Sequence, residues 1–115
     1  MAVKTNQVLQ SGFTLTTSGD SIYSAGTGIV RTAIDQCVFT NHGTTPVNID
    51  VHIVQNGDSA DNTNKVISNQ ALAVDETFTP PEVISCVINS GGSVYAVADT
   101  ADSVNVVLYG TVYTS

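Results

Sequence analysis

The chain has 115 residues, a formal net charge of −7, and 11% charged side chains against 42% hydrophobic ones. That length fits one domain, and the apolar content excludes a disordered tail. Three cations (Lys4, Arg31, Lys65) against ten acids exclude a phosphate-tracking groove and argue against an anionic membrane surface, because both need several Lys or Arg together.

Val, Ile and Thr number 17, 8 and 15, while straight-chain helix formers are scarce. Branched side chains have a stiff χ1 that packs well on a pleated surface, so composition alone predicts an all-β domain. The expected fold is a single antiparallel β-sandwich, Ig-like or jelly-roll-like, over residues 27–115. Residues 1–26 hold Val8-Leu9, Phe13-Thr14-Leu15 and Ile22-Tyr23 among Ser, Thr and Gly. They read as an extended N-terminal arm or peripheral strands. The start of the chain carries no apolar stretch of the kind a signal peptide has, so cytoplasmic assembly is expected.

Residues 28–39 are ambiguous. The pairs Ile29/Val30, Ala33/Ile34 and Cys37/Val38 recur every four positions, which suits an amphipathic helix. The wealth of β-branched residues and the missing capping box favour a long, bulged or bent strand. Residues 46–54 are clearer: Val47, Ile49, Val51 and Ile53 fall on one face, and Asn48, Asp50 and His52 on the other. This is the pattern of a half-buried strand. A turn-rich stretch, Asn41-His42-Gly43-Thr44-Thr45, precedes it, and a polar loop over 56–64 follows. Further strands are expected at 65–73, 83–88 and 93–98. Pro80-Pro81 cannot sit in a central strand, so the chain from Phe78 to Glu82 is an edge or an extended connection. In the last strand Val104, Val106, Leu108, Gly110 and Val112 form one row. The other row is Asn105, Val107, Tyr109, Thr111 and Tyr113, apolar and aromatic enough to suggest that this face is covered too.

Chemistry is sparse. There is no nucleophile elbow, P-loop or dinucleotide fingerprint. His42 and His52 read as solvated or interface residues. Asp58 and Asp61, and Asp99 and Asp102, fit turn chemistry better than a metal site, so no metal or cofactor is expected. Cys37 and Cys86, 49 positions apart, read as two buried free thiols, with a bridge open to them if their strands are neighbours. Tyr109 and Tyr113 are the one candidate aromatic pair. Core or interface packing is the plainer role, and a stacking platform for carbohydrate is the alternative. The outward rows are Thr, Ser, Asn and Gln, and only two Lys are present to guard exposed strands. Such surfaces suit burial against other protein in a multi-subunit assembly.

The order of features carries a resemblance. Gly28-Ile29-Val30-Arg31-Thr32-Ala33-Ile34 leads to Phe39-Thr40-Asn41-His42-Gly43-Thr44-Thr45-Pro46-Val47. Asn69-Gln70-Ala71-Leu72-Ala73 follows, then a Gly-Gly turn, Ser93-Val94-Tyr95-Ala96-Val97-Ala98 and Ser103-Val104-Asn105-Val106. From about Ala25 to Tyr113 the chain resembles small virion structural proteins of tailed bacteriophages, the β-sandwich proteins that coat capsids or build collar and tail parts. The resemblance implies a non-enzymatic part of a virion. The expected role is a capsid decoration (cement) protein, or alternatively a collar or tail protein. Its implied partners are the major capsid protein or other virion proteins, and further copies of itself as a trimer or ring. The expected partner-binding residues are Phe13, Leu15, Tyr23, Pro80, Pro81, Tyr109 and Tyr113.

Overall fold

The computed structural model describes residues 3–84 and 86–114. Among them nine strands form, and no helix does. They are β1 (Val3–Thr14), β2 (Asp20–Ser24), β3 (Ile29–Asn41), β4 (Val47–Val54), β5 (Lys65–Leu72), β6 (Thr77–Phe78), β7 (Val87–Asn89), β8 (Ser93–Ala98) and β9 (Val104–Thr114). The pairing is nested: β1 with β9, β2 with β8, β3 with both β6 and β7, and β4 with β5, all antiparallel. This is a long hairpin ribbon with its tip at the β4–β5 loop. Rolling the ribbon brings β9 onto β3 and β8 onto β4. Two sheets result, ordered β1-β9-β3-β6 (sheet A, with β7 also on β3) and β2-β8-β4-β5 (sheet B). The architecture is a β-sandwich of jelly-roll order.

The core lies between the sheets. Sheet A contributes Ile34, Cys37, Phe39, Val106 and Leu108, and sheet B contributes Val47, Ile49, Val51, Val94 and Ala96, all essentially without solvent exposure. Alternation on β4 and β9 supplies Val47, Ile49, Val51, Val106 and Leu108, as the pattern of residues 46–54 and 104–112 predicts, while at the end of β4 Ile53 is half-buried and Val54 buried.

The four-residue rhythm of residues 28–39 has a simple origin. On β3 the buried positions are Thr32, Ile34, Cys37, Phe39 and Asn41. A register shift between Ile34 and Gln36 makes Asp35 an extra residue in the ladder with β9. That bulge inserts one step of three into an alternation of two, which imitates helical spacing. Gly110 stands opposite Ile34, and a Cβ there would lie 2.5 Å from the carbonyl oxygen of Ala33. The close approach of two backbones at the bulge therefore demands glycine.

Three expectations are corrected. Residues 83–88 are not one strand: β7 begins only at Val87. Ahead of it the chain turns from Pro80, with Val83 N–H donating to Pro80 O and Cys86 N–H to Val83 O, since the two prolines withhold ladder donors. His52, read as solvated or at an interface, is 7% exposed. The β4–β5 loop folds over it, with Asn64 Oδ1 2.9 Å from its Nδ1, and Tyr95 packs edge-on at 5.7 Å. Cys86 is half-buried rather than buried, and both thiols are free.

Buried polar groups are wired to backbone. Asn41, fully buried, donates from Nδ2 to Thr45 O and Leu72 O and accepts the Gly43 N–H at Oδ1. Its own N–H and C=O bond to Glu76 and Asp75, so one side chain and its backbone anchor three chain segments. Replacing Asn41 with Ala strands these partners and is expected to cost about 2–3 kcal/mol in chemical denaturation. Phe39→Ala, which empties the centre of the sandwich, is expected to cost about 3–5 kcal/mol. Val74→Ala, at an exposed turn, is expected to change stability by less than about 0.5 kcal/mol.

Candidate functional site

The outer face of sheet A is built from three strands in register. Reading across β1, β9 and β3, the rows are Lys4–Tyr113–Arg31, Asn6–Thr111–Ala33 and Val8–Tyr109–Gln36, with Val107–Val38 and Thr14–Asn105–Thr40 beyond the bulges. Directly opposed residues share a face, so these side chains form one surface. Its middle is apolar: Val8 is 54% and Tyr109 42% exposed, beside half-buried Val107 and Val38. Its floor is polar and fixed, since the buried Thr111 hydroxyl donates to Asp35 Oδ2 at 2.7 Å and sits 2.9 Å from Asn6 Oδ1. At one end Arg31 stacks over Tyr113, with the guanidinium carbon 4.1 Å from the ring centroid. That contact orients a cation on the surface without neutralising it.

The strand edges differ in how they are guarded. β2 has five residues and β5 carries Lys65 and two register shifts against β4, while β6 and β7 are two and three residues long. Short, bulged or charged edges resist pairing with other chains. β1 is the exception. It has twelve residues, and Val3 to Val8 run in unbroken register along β9, exposed throughout and carrying one charge, Lys4.

The residues expected to bind partners are scattered. Leu15 is fully buried, its N–H bonded to Val104 O, and Pro80 is buried at the start of its turn. Both are packed by their own chain and offer no surface to another. Phe13 is half-buried against the core, and Tyr23 reaches across the sandwich to Thr32 with a 2.7 Å hydroxyl contact. Pro81 is exposed, but on the β6–β7 connection rather than with the others. Only Tyr109 and Tyr113 fall together, on the outer face of sheet A. Lys4, Val8 and Arg31 join them there through strand register.

Sheet B holds a cleft of about 330 Å³ lined by Thr17, Asn48, Asp50, Asn69, Val97, Ala98 and Asp99. Its carboxylates are engaged locally: Asp50 Oδ1 accepts the Asn69 N–H at 2.6 Å, and Asp99 Oδ1 accepts the Asn48 N–H at 3.1 Å. The first bond braces the register shift between β4 and β5, with Asn69 held at a φ of 55°, and the second ties the turn after β8 to β4. Among the described residues no group of three or more His, Cys, Asp or Glu is placed to hold a metal ion. In the β4–β5 loop the Thr63 hydroxyl and N–H hold the Asp61 carboxyl below its usual value, which is turn chemistry.

No family model matches the chain, and no curated protein matches it. Solved structures share its fold. A subunit of the Bacillus endospore appendages, described as a family of disulfide-linked pili, aligns at 15% identity with a TM-score of 0.53, covering 99% of this chain and 88% of that one. VP2 of infectious bursal disease virus, from a subviral particle, aligns at 14% identity with a TM-score of 0.52, covering 97% of this chain. The match spans 32% of the VP2 chain. The Gx strain of that virus aligns at 11% identity with a TM-score of 0.50.

Burial pushes the Cys37 thiol from 9.0 up to about 12, and burial also raises Cys86 to a lesser depth. In the folded chain a thiol reagent at pH 8 is expected to modify Cys86 alone, and both cysteines once the chain is unfolded. Because the folded state keeps the Cys37 proton, this contribution to stability is complete below pH 9 and fades as pH rises toward 12. Denaturation of Cys37→Ala across that window is expected to show a shallower loss than the parent chain.

Proposed function

We propose that the chain is a non-enzymatic structural subunit of a virion: a capsid decoration (cement) protein that bridges neighbouring subunits of a bacteriophage head. The observation that carries this reading is the open edge of β1 beside the apolar outer face of sheet A. Six exposed residues in flat register, with a single charge, form an edge that a solitary domain would protect. Burial beneath a neighbouring subunit satisfies both the free backbone groups and the exposed Val8 and Tyr109. Symmetric copies, each with a modest contact, then gain strength by multivalency. The fold shared with VP2 of a subviral particle supports the same reading.

A filament subunit is the second reading, favoured by the end-to-end likeness to the spore-appendage protein. Covalent linkage of that kind fits this chain poorly. Cys37 is buried, which leaves Cys86 as the one accessible thiol, and a single thiol per copy links two copies rather than a filament. The glycan alternative draws little from Tyr109 and Tyr113, since Arg31 already covers one face of the second ring.

Particles purified from cells that produce the chain are expected to carry it in a stoichiometric copy number matched to their symmetry. Stripping it is expected to lower the temperature at which the particles disrupt. Its absence from the particle fraction would overturn the reading.

A further inference from the structure

Only part of the β1 edge is free. Past a register shift after Val8 the strand is tied to sheet B, where Gln10 Nε2 donates to Ile22 O at 3.0 Å. Val3 to Val8 are all exposed, and among the described residues no strand pairs with the side of them turned away from β9. None of the ten acids of the chain lies on β1. On the outer face Asp35 stands two strands away on β3, its Oδ2 held by the Thr111 hydroxyl. The acidic β4–β5 loop meets sheet A through Gln55, which bonds Val87 and Asn89 of β7 on the far side of β3. Three strand spacings of about 4.8 Å put that contact roughly 14 Å from β1, beyond the screening length of about 10 Å at 0.1 M salt. Two copies of a chain with net charge −7 can therefore meet at this edge without opposing carboxylates.

We propose that the free half of β1 pairs antiparallel with β1 of a second copy of this chain, about a two-fold axis at Asn6. The inference rests on reading the chain as an assembly subunit and names the contact by which copies join. Strand geometry fixes the register. Backbone groups point alternately to the two sides of a strand, so a two-fold pairing must pass through a residue that faces itself. Centring on Thr5 sets the two Lys4 side chains on a diagonal, about 7–8 Å apart. Centring on Gln7 runs the ladder into the register shift after Val8. Centring on Asn6 faces Thr5 with Gln7 and Lys4 with Val8, and it keeps the two Lys4 roughly 13 Å apart along the strands at about 3.3 Å per residue. Lys4 then selects the occupant. Val8 lies beside Tyr109 of β9, and both are exposed. The stem of Lys4 from the second copy covers Val8, and its ammonium reaches the Tyr109 ring. Thr5, Asn6 and Gln7 each carry donors and acceptors, so the strand matches itself. Such an isologous contact closes as a dimer. A standard interface engages about 20–30 residues a side and this edge engages five, so the dimer is weak alone and gains strength from the many copies of an assembly.

Sedimentation equilibrium, carried to the highest soluble concentration, tests this. The unmodified chain is expected to pass from monomer to dimer. T5E/Q7E sets Glu against Glu at both Thr5–Gln7 pairs and is expected to weaken dimerisation roughly tenfold or more, as is T5K/Q7K. T5K/Q7E instead faces each Lys with a Glu and is expected to dimerise at least as well as the wild type at low salt. An equimolar mixture of T5E/Q7E and T5K/Q7K is expected to form a heterodimer. Both positions are exposed on an edge strand, and unchanged unfolding midpoints at low concentration confirm that the variants fold. A wild-type chain that stays monomeric overturns the proposal, as does wild-type dimerisation by T5E/Q7E. Equal weakening of T5K/Q7E and T5E/Q7E contradicts the register at Asn6. A monomeric wild type whose binding to particles is lost in T5E/Q7E gives the edge to a strand of another protein, and this too overturns the proposal. Co-sedimentation with particles is scored separately. A monomer that still decorates particles sinks this contact and leaves the virion reading intact, whereas a dimer absent from particles keeps the contact and overturns that reading.

Discussion

The pairing of β3 with β9 is the constraint on which the rest of the molecule depends. It joins residues 29–41 to residues 104–114 in one antiparallel ladder, and every other strand of sheet A attaches to one of these two. Through it Phe39 meets Val106 and Cys37 meets Leu108 in the middle of the core. It also rolls the ribbon closed, bringing the last strand beside the third. Such pairing joins segments distant in sequence, from Asn41 with Val104 to Ile29 with Thr114, so loop-closure entropy must be overcome before its contacts reward folding. The Asp35 bulge is what lets a thirteen-residue strand keep its apolar side inward on both halves.

A protein this poor in charge spends its polar side chains on its own backbone. Asn41, Asn64 and Asp99 each hold a turn by bonding main-chain groups, Asp50 holds the irregular stretch of β5 at Asn69, and no described buried side-chain nitrogen or oxygen lacks a partner. The consequence for function is direct. Among the described residues, beside the small cleft on sheet B, the edge of β1 and the partly apolar outer face of sheet A stay open. Those are the surfaces from which assemblies are made.

Much of the fold was legible in local pattern because side-chain alternation is itself local. Val47 to Ile53 and Val104 to Val112 declare their buried rows without reference to any partner. What pattern could not supply is which strand lies beside which. The first 26 residues read equally as an arm or as peripheral strands, and the register of β1 along β9 depends on residues about a hundred positions away. The turn that starts at Pro80 is hidden by Val83 and Ile84, which look like strand residues, whereas Pro80 and Pro81 just ahead of them carry no N–H for a ladder. The candidate site was half legible for the same reason. Tyr109 and Tyr113 stand out as a pair on one strand, but Lys4, Val8 and Arg31 reach them only through pairing across three strands. Leu15 and Pro80 attracted notice as apolar residues in segments that looked peripheral, and the sandwich buries both.

The central claim is that the β1 edge and the outer face of sheet A are covered when this chain does its work. Amide hydrogen exchange of residues 3–14, compared between the free chain and the chain in its assembly, tests it most directly. The account predicts rapid exchange at the outward-facing β1 amides of the free chain and strong protection on assembly, centred on Val3 to Val8. Equal exchange in the two states, with protection appearing on sheet B instead, would contradict it.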